Sequence, residues 1–287
     1  MDLRGSLGAV EIGRDAVRVA GPDAPAYLQG QLSADVAGLA AGGTTPSFLL
    51  APTGKVDAWL RVTRVAEDEV VLDVDGGHGE VVLARLRRFL LRTKADVDPL
   101  DWRAVAVRGP GASEAAARAG AGGGLVVPAG WPGVEGVDLL GPDAAPPPGV
   151  TPASADDYAA LRIRSGVPAM GAELTEATIP AEAGAWVIAA SVSFTKGCFT
   201  GQELVARIDS RGGHVPRRVL GLVVPGGGVS LGDPVVVAGT EAGRVTSVAP
   251  GPAGGQVALA LVGRAVTPPA AADEPGGATV VDLPIEA

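Results

Sequence analysis

The sequence has 287 residues, 47% of them hydrophobic and 19% charged, which is enough for a large core, excludes disorder by composition and sets an expectation of two to three units of about 100 residues. The charges are 23 basic against 32 acidic, net −9; general nucleic-acid binders are normally basic, so no direct DNA binding is expected. The 43 glycines and 24 prolines follow no collagen period and read as many turns, while the single cysteine, Cys198, excludes an internal disulfide framework and cannot alone hold a zinc ion or an iron–sulfur cluster.

The N-terminus has no long apolar run or small-residue cleavage site, and no long apolar stretch occurs elsewhere; a cytoplasmic protein without a membrane span is expected. Residues 9–20 alternate apolar and polar and predict strand, turn, strand. Asp23 is placed to cap a helix whose apolar face holds Ala24, Tyr27, Leu28 and Leu32. Two strands follow, Phe48 to Leu50 and Val56 to Val65, joined by a turn at Pro52 to Lys55, and Val70 to Val74 predicts another. The stripe Val82, Leu86, Phe89 and Leu90 predicts a helix over 79–94. Its basic residues, Arg85, Arg87, Arg88, Arg92 and Lys94, read either as a solvated face or as a site for a polyanion. Residues 101–108 predict a strand and Ser113 to Ala119 a short helix. An insertion or domain edge is expected at Pro142 to Pro152. Asp156 and Asp157 then open a helix that stops at Gly166. After Pro216, short β-branched runs at 219–224, 234–238, 243–248 and 257–262 predict a small antiparallel barrel or sandwich.

The densest chemical signal is Thr195 to Glu203 (TKGCFTGQE). Thr200 and Glu203 have capping-box spacing ahead of Leu204, Val205 and Ile208, which places a helix start near Gly201 and Cys198 just outside its positive end. Lys196 precedes the thiol by two residues. Both features favour a reactive thiolate; a buried, inert cysteine is the alternative. Glu173, Glu176 and Glu182 read either as solvated loop charges or as a source of a pocket carboxylate for the N–H edge of a pterin-like or purine-like ring. His78 and His214 have no metal-ligand spacing, and the glycine runs at 122–124 and 226–228 lack the context of a dinucleotide site.

Four blocks resemble the YgfZ-type folate-binding proteins, relatives of the glycine-cleavage T-protein (aminomethyltransferase). They are Tyr27 to Val36 (YLQGQLSADV), Gly54-Lys55 leading into Leu60-Arg61-Val62, Leu161 to Pro168 (LRIRSGVP), and Lys196 to Arg207 with Arg211-Gly212 beyond. The resemblance implies an α+β fold, a three-domain cloverleaf around a central folate cleft with a C-terminal antiparallel β-barrel. The expected domains are 1–48 with 150–215, 49–149, and 216–287. It implies tetrahydrofolate or a one-carbon derivative as cofactor, iron–sulfur client enzymes or assembly factors as partners, an indirect effect on tRNA modification, and a monomer. The family's signature Lys and Cys match Lys196 and Cys198. Its ring-stacking aromatic matches Tyr158, its pterin-contacting carboxylate Glu182, and its folate-binding arginine Arg218, with Arg217 the alternative. T-proteins carry an aspartate pair where this chain has Ala58 and Trp59, so a classical aminomethyltransferase is not expected. Two further readings stand beside the accessory role: a folate-dependent transferase with Asp57 as acid/base, and a non-catalytic folate-binding scaffold.

Overall fold

The N-terminal alternation folds as two strands parted at Gly13, β1 (Gly8–Ile12) and β2 (Arg14–Ala20). In the computed structural model, which describes residues 1–120 and 122–286, these strands enter different sheets. The chain continues through α1 (Ala24–Gln31), β3 (Thr44–Leu50), β4 (Val56–Ala66), β5 (Glu69–Asp75), α2 (Gly79–Arg88), β6 (Asp96–Leu100), β7 (Arg103–Arg108), α3 (Ala112–Ala119), β8 (Leu125–Pro128) and β9 (Gly136–Gly141). It then forms β10 (Thr151–Pro152), α4 (Ala155–Arg164), α5 (Ala185–Ser191), α6 (Gln202–Asp209), β11 (Arg217–Val224), β12 (Pro234–Val237), β13 (Thr240–Pro250), β14 (Gln256–Gly263), β15 (Ala270–Ala271) and β16 (Thr279–Val281).

Three sheets result. The first has the order β10-β1-β7-β9-β8 and the second β3-β4-β5-β2-β6. Helices α1 and α2 cover one face of the second sheet, where Leu28 and Leu86 are fully buried against Val17, Val19, Leu60 and Leu72; each such leucine contributes about 2 kcal/mol of burial. The other face meets α5 and α6 through Phe48, Leu50, Val187 and Val205. The third sheet, β12-β13-β14-β11-β16-β15, is antiparallel. A bridge between Val236 and Glu274 brings its first strand to the segment just after its last and nearly closes it into the expected barrel. Among the described residues no helix is long and apolar enough to cross a membrane.

The sheets group the chain differently from the expected domain bounds. The bound at 48/49 runs through β3, and residues 8–12 join a sheet otherwise built from 103–152. The cause is local: the alternating segment breaks at Gly13 and gives one strand to each sheet. The region around 142–152 is a sheet edge, since β10 pairs with β1. The helix expected over 79–94 stops at Arg88 because Phe89 leaves helical geometry, and the Arg85 guanidinium packs 4.2 Å over its ring. Asp23 does not cap α1; its Oδ2 accepts from the Lys94 amide instead.

The first two sheets meet through buried charges. Arg14 donates from Nε to Asp73 and from Nη1 to Asp75 at 2.6 Å. Arg61 donates to Asp73 at 2.8 Å and to Asp138 at 2.8 Å, and Arg108 Nη1 lies 2.8 Å from Asp138 Oδ1. Burial works against the charge on Asp138, but Arg108 and Arg61 hold its carboxyl well below the usual carboxylate range. The folded value lies below the unfolded one, so this stabilisation is full above the unfolded value of about 4 and is lost as the pH falls towards the folded value. Asp138→Asn leaves two buried guanidiniums under-compensated. It is expected to cost about 3–5 kcal/mol in denaturant unfolding at neutral pH, with a smaller difference in acid; an equal loss at both pH values would show that the charge is not what matters.

Candidate functional site

The charge chain floors a cavity of about 520 Å³ between the first two sheets and α4. Trp59, Trp131, Tyr158, Met170 and Trp186 give it apolar walls, while Arg14, Arg61, Arg108 and Asp138 lie along the floor. Such a mixture of aromatic walls and a few buried polar groups suits a flat organic ligand. On the barrel side, α4 is fixed by a second buried carboxylate. Glu173, fully buried, accepts from Arg162 at 3.2 Å, from the Ala169 amide at 3.0 Å, and from Thr246 and Ser247 on β13 at 2.6 Å each. The Ser154–Asp157 capping box starts the same helix and sets Tyr158 in its first turns.

The structure separates the residues expected to share one folate site. Tyr158 lines the cavity, its ring 5.3 Å from that of Trp131. Glu182 does not line it. This carboxylate is buried, and it accepts from the Ile179 amide at 3.0 Å and from Arg217 Nε at 2.9 Å. Arg218 lines a different groove, of about 960 Å³, between α5, α6 and the barrel. Trp186 is the one lining residue that the cavity and the groove share.

The signature loop differs from its expected geometry. The Lys196 ammonium donates to three carbonyls, Gln29 O at 2.7 Å, Leu32 O at 2.6 Å and Ala34 O at 2.7 Å. It therefore clamps the end of α1 and the chain beyond it; it is a positioning residue. Burial pushes it down to about 8, with Asp35 opposing. The expected Thr200–Glu203 box does not form. Helix α6 begins at Gln202 with Gly201 as its N-cap, at φ 82° and without a side-chain cap. A Cβ at Gly201 would lie 2.6 Å from Ala51 O, and one at Gly54 would lie 2.5 Å from Leu204 Cβ. This close approach fixes where the helix begins and leaves Thr200 one residue too early to reach its third amide. Cys198 is exposed, as expected of a reactive thiol, but it is not among the residues lining the cavity.

On β4, Trp59 points into the cavity and donates from Nε1 to Ser191 Oγ at 2.9 Å. Ala58 is buried in the opposite core. A register shift between Leu49 and Leu50 faces Asp57, which forms an ion pair with Arg85 on α2 at 3.2 Å. Asp57 lies outside the cavity lining. The pairing also answers part of the basic-helix question. Arg85 binds Asp57 and Leu50 O, and Arg87 binds Val97 O, so these two hold structure.

Sequence reasoning passed over Arg14, Arg108, Asp73 and Asp138, and met Arg61 only as part of a family block. Their signal was present: single charges inside apolar strand runs, as in VVLDVD and GVDLLG. Such charges stay ionised in a core only when paired.

No protein-family model matches the sequence. Over 71% of its length the chain is 30% identical to the tRNA-modifying protein YgfZ of Edwardsiella ictaluri, spanning 66% of that protein. Over 74% it is 30% identical to a mitochondrial iron–sulfur cluster assembly factor IBA57 homologue of Pyricularia oryzae, spanning 56% of it. The crystal structure of the glycine-cleavage aminomethyltransferase T from Bartonella henselae shares the fold, with a TM-score of 0.83 over 99% of this chain and 87% of that one, at 23% identity.

Lys196→Met strips the clamp from three carbonyls and is expected to cost about 2 kcal/mol or more. Lys196→Arg does not restore it, because a flat fork cannot serve three converging acceptors. Chemical unfolding of both variants, with limited proteolysis of the 193–200 segment, measures this; a wild-type midpoint for Lys196→Met would refute the clamp.

Proposed function

Since the chain is a YgfZ-type relative of the T-protein (aminomethyltransferase) family, we propose that it binds a tetrahydrofolate species in the central cavity and serves as an accessory protein in iron–sulfur cluster assembly or repair, with Cys198 as its reactive thiol. An effect on tRNA modification would follow through an iron–sulfur client. The observation that carries the reading is the cavity, with aromatic walls over a buried charged floor. A tetrahydrofolate bound there supplies or accepts a one-carbon unit. Tyr158 and the tryptophans stack the flat ring and keep water from it.

A transferase would need a free carboxylate in the cavity to move a proton. Glu11, Asp75 and Asp138 line it, but Glu11 is paired with Arg103 at the exposed rim, Asp75 accepts from Arg14 and from the Met170 amide, and Asp138 is held by two arginines. Asp57 is turned to Arg85. This chemistry favours the accessory role over group transfer. The exposed Cys198, outside the cavity, suits contact with a protein partner at the surface. One thiolate serves there as a nucleophile or transient iron ligand, and the partner supplies the remaining ligands.

Calorimetry with tetrahydrofolate tests the reading. Tyr158→Ala is expected to weaken binding about tenfold by loss of ring stacking. Cys198→Ser is expected to leave binding unchanged while abolishing support of an iron–sulfur client in a cluster-transfer assay. Unaltered affinity in Tyr158→Ala removes the cavity assignment, and full client support by Cys198→Ser removes the thiol role.

A further inference from the structure

Arg108 closes one corner of the central cavity and is only 1% exposed. Its Nη1 donates to Val107 O at 3.2 Å and to Val137 O at 2.8 Å, and lies 2.8 Å from Asp138 Oδ1 in an ion pair. Nε and Nη2 are buried and have no hydrogen-bond partner, and neither has Asp138 Oδ1. Most buried donors in proteins are paired; Arg85 and Arg164 each leave one buried nitrogen unfilled, whereas Arg108 leaves two neighbouring ones. The two free N–H groups lie side by side on one edge of the guanidinium, a fork that matches two neighbouring acceptors.

The corner is shaped around this side chain. A Cβ at Gly136 would lie 2.6 Å from Arg108 Cδ and 3.2 Å from Nε. The Arg108 Cζ lies 4.5 Å from the Trp131 ring centre and 5.5 Å from that of Tyr158. Trp131 stands on the turn between β8 and β9, flanked by Gly130 and Gly133 at φ 69° and 67°.

We propose that the Arg108 fork is the recognition point for a neutral, planar amino-oxo heterocycle. An adjacent carbonyl oxygen and ring nitrogen would accept from Nε and Nη2 while the ring lies along Trp131 and Tyr158. The proposal deepens the folate reading and rests on its cavity, since a tetrahydropterin sets its 4-oxo oxygen beside N5, whose lone pair accepts while that nitrogen carries no one-carbon unit. Charge decides against a carboxylate. Arg14, Arg61 and Arg108 are already matched by Asp73, Asp75 and Asp138. A carboxylate would add an uncompensated buried charge. Asp138 Oδ1 also calls for a donor, which an amino-oxo ring carries and a carboxylate lacks.

The experiment titrates the full chain by calorimetry with three probes. Tetrahydrofolate has the ring and the acidic tail. Guanine has the carbonyl and ring-nitrogen edge without being a folate. p-Aminobenzoyl-glutamate has the tail alone. Arg108→Lys keeps the charge beside Asp138 but removes the paired donors, and it is expected to weaken tetrahydrofolate and guanine at least about tenfold. Guanine added to the wild type is expected to move the Arg108 Nε–H resonance, a readout that needs no variant. Wild-type affinity for tetrahydrofolate in Arg108→Lys overturns the inference and leaves the folate reading standing. Guanine held through Arg108 without any tetrahydrofolate binding upholds the inference and removes the folate reading. Arg108-dependent binding of the tail fragment overturns the inference by making the corner a carboxylate site, and failure of the wild type to bind either ring overturns both.

Discussion

The chain of buried charges from Arg14 to Arg108 is the constraint on which the rest of the molecule depends. It runs from β2 through β5 and β4 of the second sheet to β9 and β7 of the first. Two sheets joined by apolar contact alone can slide. Two joined by paired guanidiniums and carboxylates have one register, because any other leaves a charge unpaired in the core. The same residues floor the cavity, so the geometry that fixes the sheets also fixes the shape of the cavity. Glu173 does the equivalent on the barrel side, tying α4 to β13.

The cavity and the thiol loop share no lining residue, yet β4 connects them. Trp59 on that strand lines the cavity, and the turn that leads into the strand packs Gly54 against Gly201 at the start of α6. Lys196 fastens the loop from its other end to the last turn of α1. Cys198 is thus an exposed group on a loop fixed on both sides. That suits a partner that must find the thiol in one place, and it separates the partner's surface from the chemistry of the cavity.

Much of this architecture was legible in the sequence. Period-two alternation gave β1 and β2, and β-branched runs between glycines and prolines gave the four long barrel strands. The 54–55 and 196–207 blocks, far apart in sequence, meet where Gly54 packs against Gly201 and Leu204. What was not legible depends on distance. Lys196 acts on carbonyls more than 160 positions upstream, and its role reads as chemistry until those carbonyls are seen. Asp138 in its apolar run demands a partner but cannot name Arg61 or Arg108. The Thr200–Glu203 spacing is a true capping pattern, defeated by Gly201, whose positive φ follows from contact with Ala51 and moves the helix start by one residue. Glu182 and Tyr158 were expected at one site, yet Glu182 is bound to the Ile179 amide and Arg217 while Tyr158 lines the cavity.

The division of the two N-terminal strands between two sheets also sets the order in which the protein can be made. Gly8 pairs with Arg108, and Arg14 pairs with Asp75, so a chain emerging from the ribosome holds β1 without its neighbour until β7 has appeared. Pairings so distant in sequence close slowly and leave strand edges open meanwhile. The barrel makes the opposite demand, since most of its strands pair within the last quarter of the chain, and it can condense after the rest. The cavity belongs to the slow part: until β7 reaches β1, its floor is not assembled, and a ligand present during synthesis has nothing to bind.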